Sequence, residues 1–289
     1  MKTLFVAAGP YSWGSSRMRC YWPARCLDGA EVATFSEFER WAKYANQADA
    51  FIWQKNFSAE YKNWYPNAQH YWDVCDPAWW WEPDACREVV DVVAGVVASS
   101  PALAEDFNEW YGSEKAVCIP DRLDLEHFPI QRQHTDVSPV RFIWYGVAVN
   151  RIAIMAQLAN LERLVANGHK IELTIFDDRP DHRFIGTDAF PVYHVAWSVE
   201  RENEVIAAHD IALLPPYPGP WGDVKSNNKR LTAWACGLPV VDEQDYRAVA
   251  GLVASIDDRK MISEIVQANL KESWTVDRSA REWQGLLCK

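Results

Sequence analysis

Asp223 to Val241, DVKSNNKRLTAWACGLPVV, gathers the residue types of an anion site around what reads as a helix start. Asp223, Ser226, Asn227 and Asn228 offer side-chain oxygens for an N-cap. Lys229 and Arg230 fall in the first turn, where cations oppose the helix dipole, so a requirement other than helix stability places them there. Leu231, Trp234 and Ala235 make an apolar face at i, i+3, i+4, Gly237 and Pro239 end the helix, and Val240-Val241 opens a strand. Exposed helical N–H groups beside a lysine bind anions, phosphate above all. The bland counterpart is a capped surface helix with solvated charges.

The surrounding elements bear on that choice. DIALLPPYPGPW (210–221) reads as a short buried strand followed by a Pro/Gly loop. The helix start then lies at the carboxyl edge of a sheet, where open α/β sheets take their ligands. Strand-like and helix-like runs alternate along the whole chain, the pattern of parallel sheets. Strands are expected near Leu4–Ala8, Glu31–Phe35, Ala50–Trp53, Gln69–Asp73, Gly95–Ser99 and Ala116–Ile119, then Arg141–Tyr145, Glu172–Phe176, Val192–Val195, Ile211–Leu214 and Val240–Val241. Helices are expected at Ser16–Leu27, Phe38–Ala45, Asp84–Val92, Pro101–Trp110, Ile152–Asn167, Arg201–Ala208, Lys229–Cys236, Lys260–Lys271 and Asp277–Leu287. QRQHTDVSP (131–139) is polar and ends in proline, as a linker would.

Three segments resemble one enzyme family. Ala235, Gly237, Pro239, Val240 and Val241 match the A-x-G-x-P-V-V of the large retaining glycosyltransferase family 4, whose pattern also carries two glutamates; Lys225 and Thr232 stand in their places. Lys229 matches the lysine of a related subset. VCIPDRLDLEHFP (117–129) is similar to the family's strand-to-linker signature, with Asp121-Arg122 replacing Asn-Gly, and GPYSWGSSRMRCYWPAR (9–25) resembles its acceptor-domain loop. The resemblance implies an α/β GT-B architecture: two Rossmann-like domains with parallel sheets facing each other across a cleft, and a C-terminal helix packing back on the first domain. It divides the chain into an acceptor-side domain, 1–133, a nucleotide-sugar donor domain, 139–272, and the returning helix, 273–289.

On that reading Lys229 stabilises the leaving diphosphate without a metal. Ser226, Asn227 and Asn228 donate to the same phosphates, and Lys225 meets phosphate or a carboxylated sugar, or is a surface lysine. Thr232 cannot give the bidentate carboxylate contact to a ribose diol. Gly146 and Arg151, after the first donor-domain strand, are further donor-site candidates; Arg151 aids the diphosphate or solvates a helix start. Asp177 accepts from base or ribose and Trp197 stacks on a base. Asp177-Asp178 also has the look of a metal-binding pair, though such strand-end carboxylates more often cap a turn. On the acceptor side stand Gly9, Ser15, Ser16, Arg17 and Arg19, with Asp73 and Asp76 as general-base candidates. His70 reads as a satisfied core histidine. Of the 16 tryptophans, Trp79-Trp80-Trp81 cannot all face one core, so Trp79 and Trp80 are candidates for a sugar platform or for inter-domain packing.

A chain of 289 residues, 49% hydrophobic and 24% charged, suits two globular domains. The net charge of −11 and acidic pI weigh against a nucleic acid or an anionic membrane as partner, modified DNA included. Seven cysteines without C-x-x-C suggest reduced thiols and a cytoplasmic protein, and no run reaches the length of a membrane span. The expected function is transfer of a hexose or pentose from a nucleotide sugar such as a UDP- or GDP-sugar to a hydroxyl of a glycan or small molecule, with retention at the anomeric carbon and with no cofactor beyond that co-substrate. The rivals are a degenerate module that binds carbohydrate or nucleotide without turnover, and a sugar-nucleotide epimerase.

Overall fold

The computed structural model describes residues 1–37, 45–181, 187–242 and 245–288. Its contacts divide the chain into two compact units. One comprises Met1–Asp124, Pro220–Asn227 and Trp274–Lys289; the other comprises Leu125–Gly219 and Asn228–Ser273.

The first unit is built on a six-stranded sheet, all of whose pairings are parallel: β1 (Thr3–Ala7), β2 (Ala30–Thr34), β3 (Ala50–Gln54), β4 (Gln69–Val74), β5 (Gly95–Ala98) and β6 (Ala116–Cys118), in the order β2-β1-β3-β4-β5-β6. Its helices are α1 (residues 14–25, passing through a π turn at Arg17–Tyr21), α2 (Glu60–Trp64), α3 (Pro83–Val92) and α4 (Pro101–Tyr111). Successive side chains of a strand point to opposite faces, and both faces here are covered. Phe5 and Ala7 pack with Cys20 and Ala24, while Leu4 and Val6 pack with Phe51 and Trp53. This is why the strands read as unbroken apolar runs.

The second unit carries β7 (Val140–Gly146), α5 (Ile152–Ala166), β8 (Ile171–Asp177), β9 (Val192–Ala196), α6 (Glu202–Ala207) and β10 (Ile211–Leu213). A short helix, α7 (Pro220–Asp223), belongs to the first unit. The chain then continues with α8 (Asn228–Ala235), β11 (Val240–Val241), α9 (Tyr246–Ala254) and α10 (Ile256–Ser273). The sheet order is β11-β10-β7-β8-β9, again parallel throughout. Phe142 and Trp144 of β7 meet Ile154 and Leu161 of α5 and Val249 and Leu252 of α9.

The last helix, α11 (Val276–Leu287), packs on the first unit as expected. Trp283 sits edge-on to Phe5 at 5.9 Å and to Tyr71 at 6.3 Å between ring centroids. Each expected strand is present to within a residue or so at its ends. The expected helix Phe38–Ala45 lies, all but Ala45, outside the described residues. The helix α9 was not foreseen: it follows a two-residue strand and is capped by Asp245, whose carboxylate accepts from the Arg247 amide at 2.8 Å.

Two boundaries differ from the sequence reading. Arg132 and His134 are not free linker residues, since the Arg132 amide donates to Cys236 O at 2.8 Å, its guanidinium pairs with Asp210, and His134 bonds Gly237 O at 2.9 Å. Residues 125–133 therefore group with the second unit. Pro220–Asn227 groups with the first, because Val224 is buried in its core and Ser100 Oγ donates to Val224 O at 2.7 Å. Among the described residues no helix is long and apolar enough to cross a membrane, and none of the seven cysteines forms a disulfide.

His209 illustrates how burial couples this fold to pH. Its Nδ1 lies 2.7 Å from Val205 O and its Nε2 2.8 Å from Thr174 Oγ1, and burial pulls its pKa from 6.5 down to about 4. The unfolded chain then binds the extra proton between those values, so stability is lost as pH falls from 6.5 towards 4, by up to about 1.4 kcal/mol per pH unit. Urea unfolding at pH 7, 6 and 5 should show this slope, reduced in His209→Gln; an identical slope in the variant would contradict it.

Candidate functional site

In each sheet the strand order reverses once, and at a reversal the neighbouring crossovers leave towards opposite faces, opening a crevice at the carboxyl edge. In the second unit the reversal lies between β7 and β10. The strand β7 ends there at Gly146, and α8, which leads from β10 and α7 to β11, starts with Asn228 and Lys229. The Lys229 ammonium lies over the buried Trp144 ring at 5.3 Å, and a Cβ built on Gly146 would stand 2.5 Å from Lys229 Nζ. At φ +153° the backbone of residue 146 favours glycine, and the end of the lysine chain lies close against it. The Tyr145 hydroxyl donates to Lys229 O at 2.5 Å, which fixes the first turn of α8 to the sheet. At its other end α8 closes in a Schellman motif: Leu238 N donates to Ala233 O and Gly237 N to Trp234 O, both at 2.9 Å, with Gly237 at φ +80°. The A-x-G-x-P segment is therefore a helix stop that hands the chain to β11.

Several donor-site expectations are corrected. Arg151 is buried and holds Asp177 through two nitrogens, Nη2 to Oδ1 at 2.7 Å, and it also donates to Arg179 O at 2.5 Å. Asp177 is fully buried and accepts in addition from the Arg179 amide at 3.0 Å. The pair joins the turns after β7 and β8 and is committed to that brace, not to a diphosphate or a ribose. Asp178 accepts from the Ala148 amide at 2.7 Å, the turn-capping role. Among the described residues no group of three or more His, Cys, Asp or Glu is placed to hold a metal. Thr232 is buried within α8, so its hydroxyl is no surface for a ribose. Trp197, at the end of β9, is half-buried and donates from its indole to Glu202 at 3.2 Å.

The first unit reverses between β1 and β3. Gln54 Oε1, at the end of β3, accepts from the Ala8 amide at 2.9 Å and from Ser16 Oγ at 3.0 Å, while Ser16 Oγ accepts from the Gly9 amide at 3.1 Å. A side chain at Gly9 would collide with the Trp13 indole. Gly9 and Ser16 therefore shape this loop from within, and Ser15 beside them is half-buried. Arg17 does not project outwards: it is buried between the rings of Tyr11 and Trp22, with Nη1 donating to Ser12 O at 3.2 Å. Arg19 is likewise buried, forks onto Asp73, and reaches Ile119 O and Asp121. Burial pushes the Asp73 carboxyl up against the pull of Arg19, and at 0% exposure it cannot reach a substrate. It is a brace, not a base.

Asp76 sits between two lysines, Lys55 at 2.7 Å and Lys225 at a shorter contact. Burial alone would raise its pKa, but the two ammonium groups hold it below the ordinary carboxylate value, which makes it a poor proton acceptor. Lys225 also lies 3.9 Å above the Trp221 ring. Ser226 Oγ donates to Asp121 at 2.6 Å, so Lys225 and Ser226 are anchored in the first unit, whereas Asn227 and Asn228 are half-buried at the approach to α8. Trp79 is core, packed edge-on to Phe107 at 4.9 Å; Trp80 is 40% exposed, and both indoles donate to Asp106 Oδ2. His70 is the satisfied core histidine expected, with Nδ1 accepting from Trp53 at 3.0 Å. Lys55, Gln54, Asp121 and Trp221 were not foreseen. The one available signal for Lys55 was its position directly after an apolar strand.

No family model matches this sequence, and no curated protein matches it. Solved structures do. The chain is similar to an alpha-glucosyltransferase in complex with UDP and a 13-mer DNA containing a HMU base, with a TM-score of 0.71 at 11% identity over 99% of both chains. It is similar to a glycosyltransferase from Rickettsia africae, at 0.66 and 11% identity over 99% of this chain and 97% of that one. Against TarM the TM-score is 0.60 at 10% identity over 83% of this chain, which spans only 55% of TarM's length. The fold is that of the GT-B glycosyltransferases. At such identities the shared property is the fold, and function resides in this chain's own side chains.

The contact between Gly146 and Lys229 has a measurable consequence. Gly146→Ala should destabilise the protein by about 1–3 kcal/mol, chiefly through backbone strain at φ +153° and in smaller part by displacing the end of Lys229. Part of that cost should vanish in a Lys229→Ala background, giving a coupling of about 0.5 kcal/mol or more in a double-mutant cycle read by chemical denaturation. Strict additivity would remove the lysine from the Gly146 site.

Proposed function

We propose that this protein is a glycosyltransferase that moves a sugar from a nucleotide-sugar donor to an acceptor hydroxyl, without a metal and with retention at the anomeric carbon. The observation that carries the reading is the Lys229 ammonium at the reversal of the second sheet, against Gly146 and at the N-terminus of α8. When the bond from the sugar's C1 to the diphosphate breaks, negative charge grows on the leaving oxygen. A fixed ammonium and the first amides of α8 meet that charge without reorganisation. The new bond joins C1 to the acceptor oxygen, and the acceptor proton passes to the leaving phosphate. Such a route suits a chain in which Asp73 is ion-paired and Asp76 is held by two lysines, so that neither serves as base.

The GT-B fold supports this reading, as do the UDP and UDP-glucose named with similar structures. The correspondence with family 4 is a proposal resting on the A-x-G-x-P segment and Lys229. With Thr232 buried and Lys225 bonded to Asp76, the two glutamate positions do not supply the usual carboxylates. We take the acceptor to be a glycan or small molecule. A similar structure holds DNA, but a net charge of −11 opposes a polyanionic partner. The unpaired cysteines fit a cytoplasmic protein.

Incubation with UDP-, GDP- and ADP-sugars should release nucleotide, and Lys229→Ala should lower that rate by about a hundredfold or more while leaving the fold intact by circular dichroism. Tight nucleotide-sugar binding with no release across a range of acceptors would replace the transferase with a binding module. Release indifferent to Lys229 would refute the assigned role of the lysine.

A further inference from the structure

We propose that the first unit contains a pocket for an uncharged, hydroxyl-bearing ring at the carboxyl ends of β3 and β4, and that the acceptor is held there; this last step rests on the transferase reading above. A cavity of about 360 Å³ opens where Lys55, Asn56 and Phe57 follow β3 and Tyr61 stands on α2, with Trp72 of β4 and Glu82 completing its wall. That volume lies within the range of about 300–1,000 Å³ of small-molecule sites, and an aromatic wall with a few polar groups is their usual chemistry. Phe57 and Tyr61 stand edge to face at 5.9 Å, and the Trp72 indole is held by Lys55 O at 2.8 Å. Aromatic faces of this kind cover the apolar faces of a ring.

Lys55 marks the pocket independently. It is a non-glycine residue at φ +61°, in the left-handed region that a side chain rarely adopts. Three bonds hold it there: its amide donates to Asp73 O at 2.8 Å, its carbonyl accepts from Trp72, and its ammonium meets Asp76 at 2.7 Å. Strain maintained by surrounding contacts collects at ligand sites. The same geometry restricts the ligand's charge. Asp76 already engages the Lys55 ammonium, and Glu82 adds a carboxylate from an exposed position, so the lining has no surplus positive charge for a phosphate. Hydroxyls, which both donate and accept, suit Glu82, Asn56 and the rim of Lys55.

The expected acceptor positions Arg17, Arg19 and Trp79 are buried, whereas at this cavity aromatic surface and polar groups converge.

Titration by NMR with methyl glucoside, methyl galactoside and methyl N-acetylglucosaminide, and separately with hydroxymethyl-bearing pyrimidine bases, tests the pocket directly and tells which source of ring it prefers. Binding by either class should weaken about tenfold in Tyr61→Ala and severalfold in the exposed Glu82→Gln, which does not threaten the fold. Trp64→Ala, an exposed aromatic outside the wall, should bind as the native protein does. Absence of binding by both classes, or binding indifferent to Tyr61 and Glu82, overturns the pocket. UDP titrated in the same samples reports on the Lys229 end separately. Ring binding without UDP binding sinks the transferase reading and keeps the pocket; UDP binding without ring binding does the reverse.

Discussion

A parallel sheet returns its chain over one face or the other, and where the direction of winding changes, the carboxyl edge is left open between two crossovers. Both sheets of this protein have such a reversal, and the rest of the structure is arranged around keeping each one in shape. In the second unit this demands that a lysine pass directly over the end of β7. Gly146, at φ +153°, lies against the end of that lysine, and Tyr145 holds the turn that carries it. In the first unit the reversal is closed by Gln54, which gathers the Ala8 amide and Ser16, while the lysine that follows Gln54 is held in a left-handed conformation.

Charges in this chain divide by what surrounds them. Arg19 with Asp73, and Arg151 with Asp177, are buried pairs whose desolvation is tolerable only because each guanidinium fork is met by a carboxylate and further oxygens. They tie loops together and have no capacity left for a ligand. Lys229 and Lys225 differ: they are only half-buried and lie over tryptophan rings, Trp144 and Trp221, whose faces stabilise an ammonium. Asp76 between Lys55 and Lys225 is intermediate, an anion that orders two cations at the price of its own basicity.

The arrangement also explains the tryptophans. Trp53, Trp79, Trp144 and Trp283 are core residues, three of them in contact with other rings. Trp80 and Trp81 remain exposed, consistent with the rule that three consecutive side chains cannot share one face.

Much of the fold was legible in the residue order. Apolar strands buried on both faces are continuous runs, Gly237-Leu238-Pro239 can only end a helix, and Lys229 in a first turn conflicts with the dipole unless something else requires it; these are local constraints, and local chemistry expresses them. What a charged side chain does is not local. Arg17, Arg19 and Arg151 sit at strand ends and helix starts, the positions where ligand-binding arginines also sit, and sequence spacing does not distinguish the two cases. The difference is made by a partner far along the chain: Asp73 lies 54 residues from Arg19, and Asp177 lies 26 from Arg151. Lys55 acquires its conformation from Asp73, Trp72 and Asp76, none of them its neighbours in sequence. Residue order by itself determined the strands, the helix stop and the lysine at the crevice. Tertiary structure decided which charges were buried in pairs inside the fold and which stayed half-buried over a ring, because desolvation and pairing depend on distances that only packing creates.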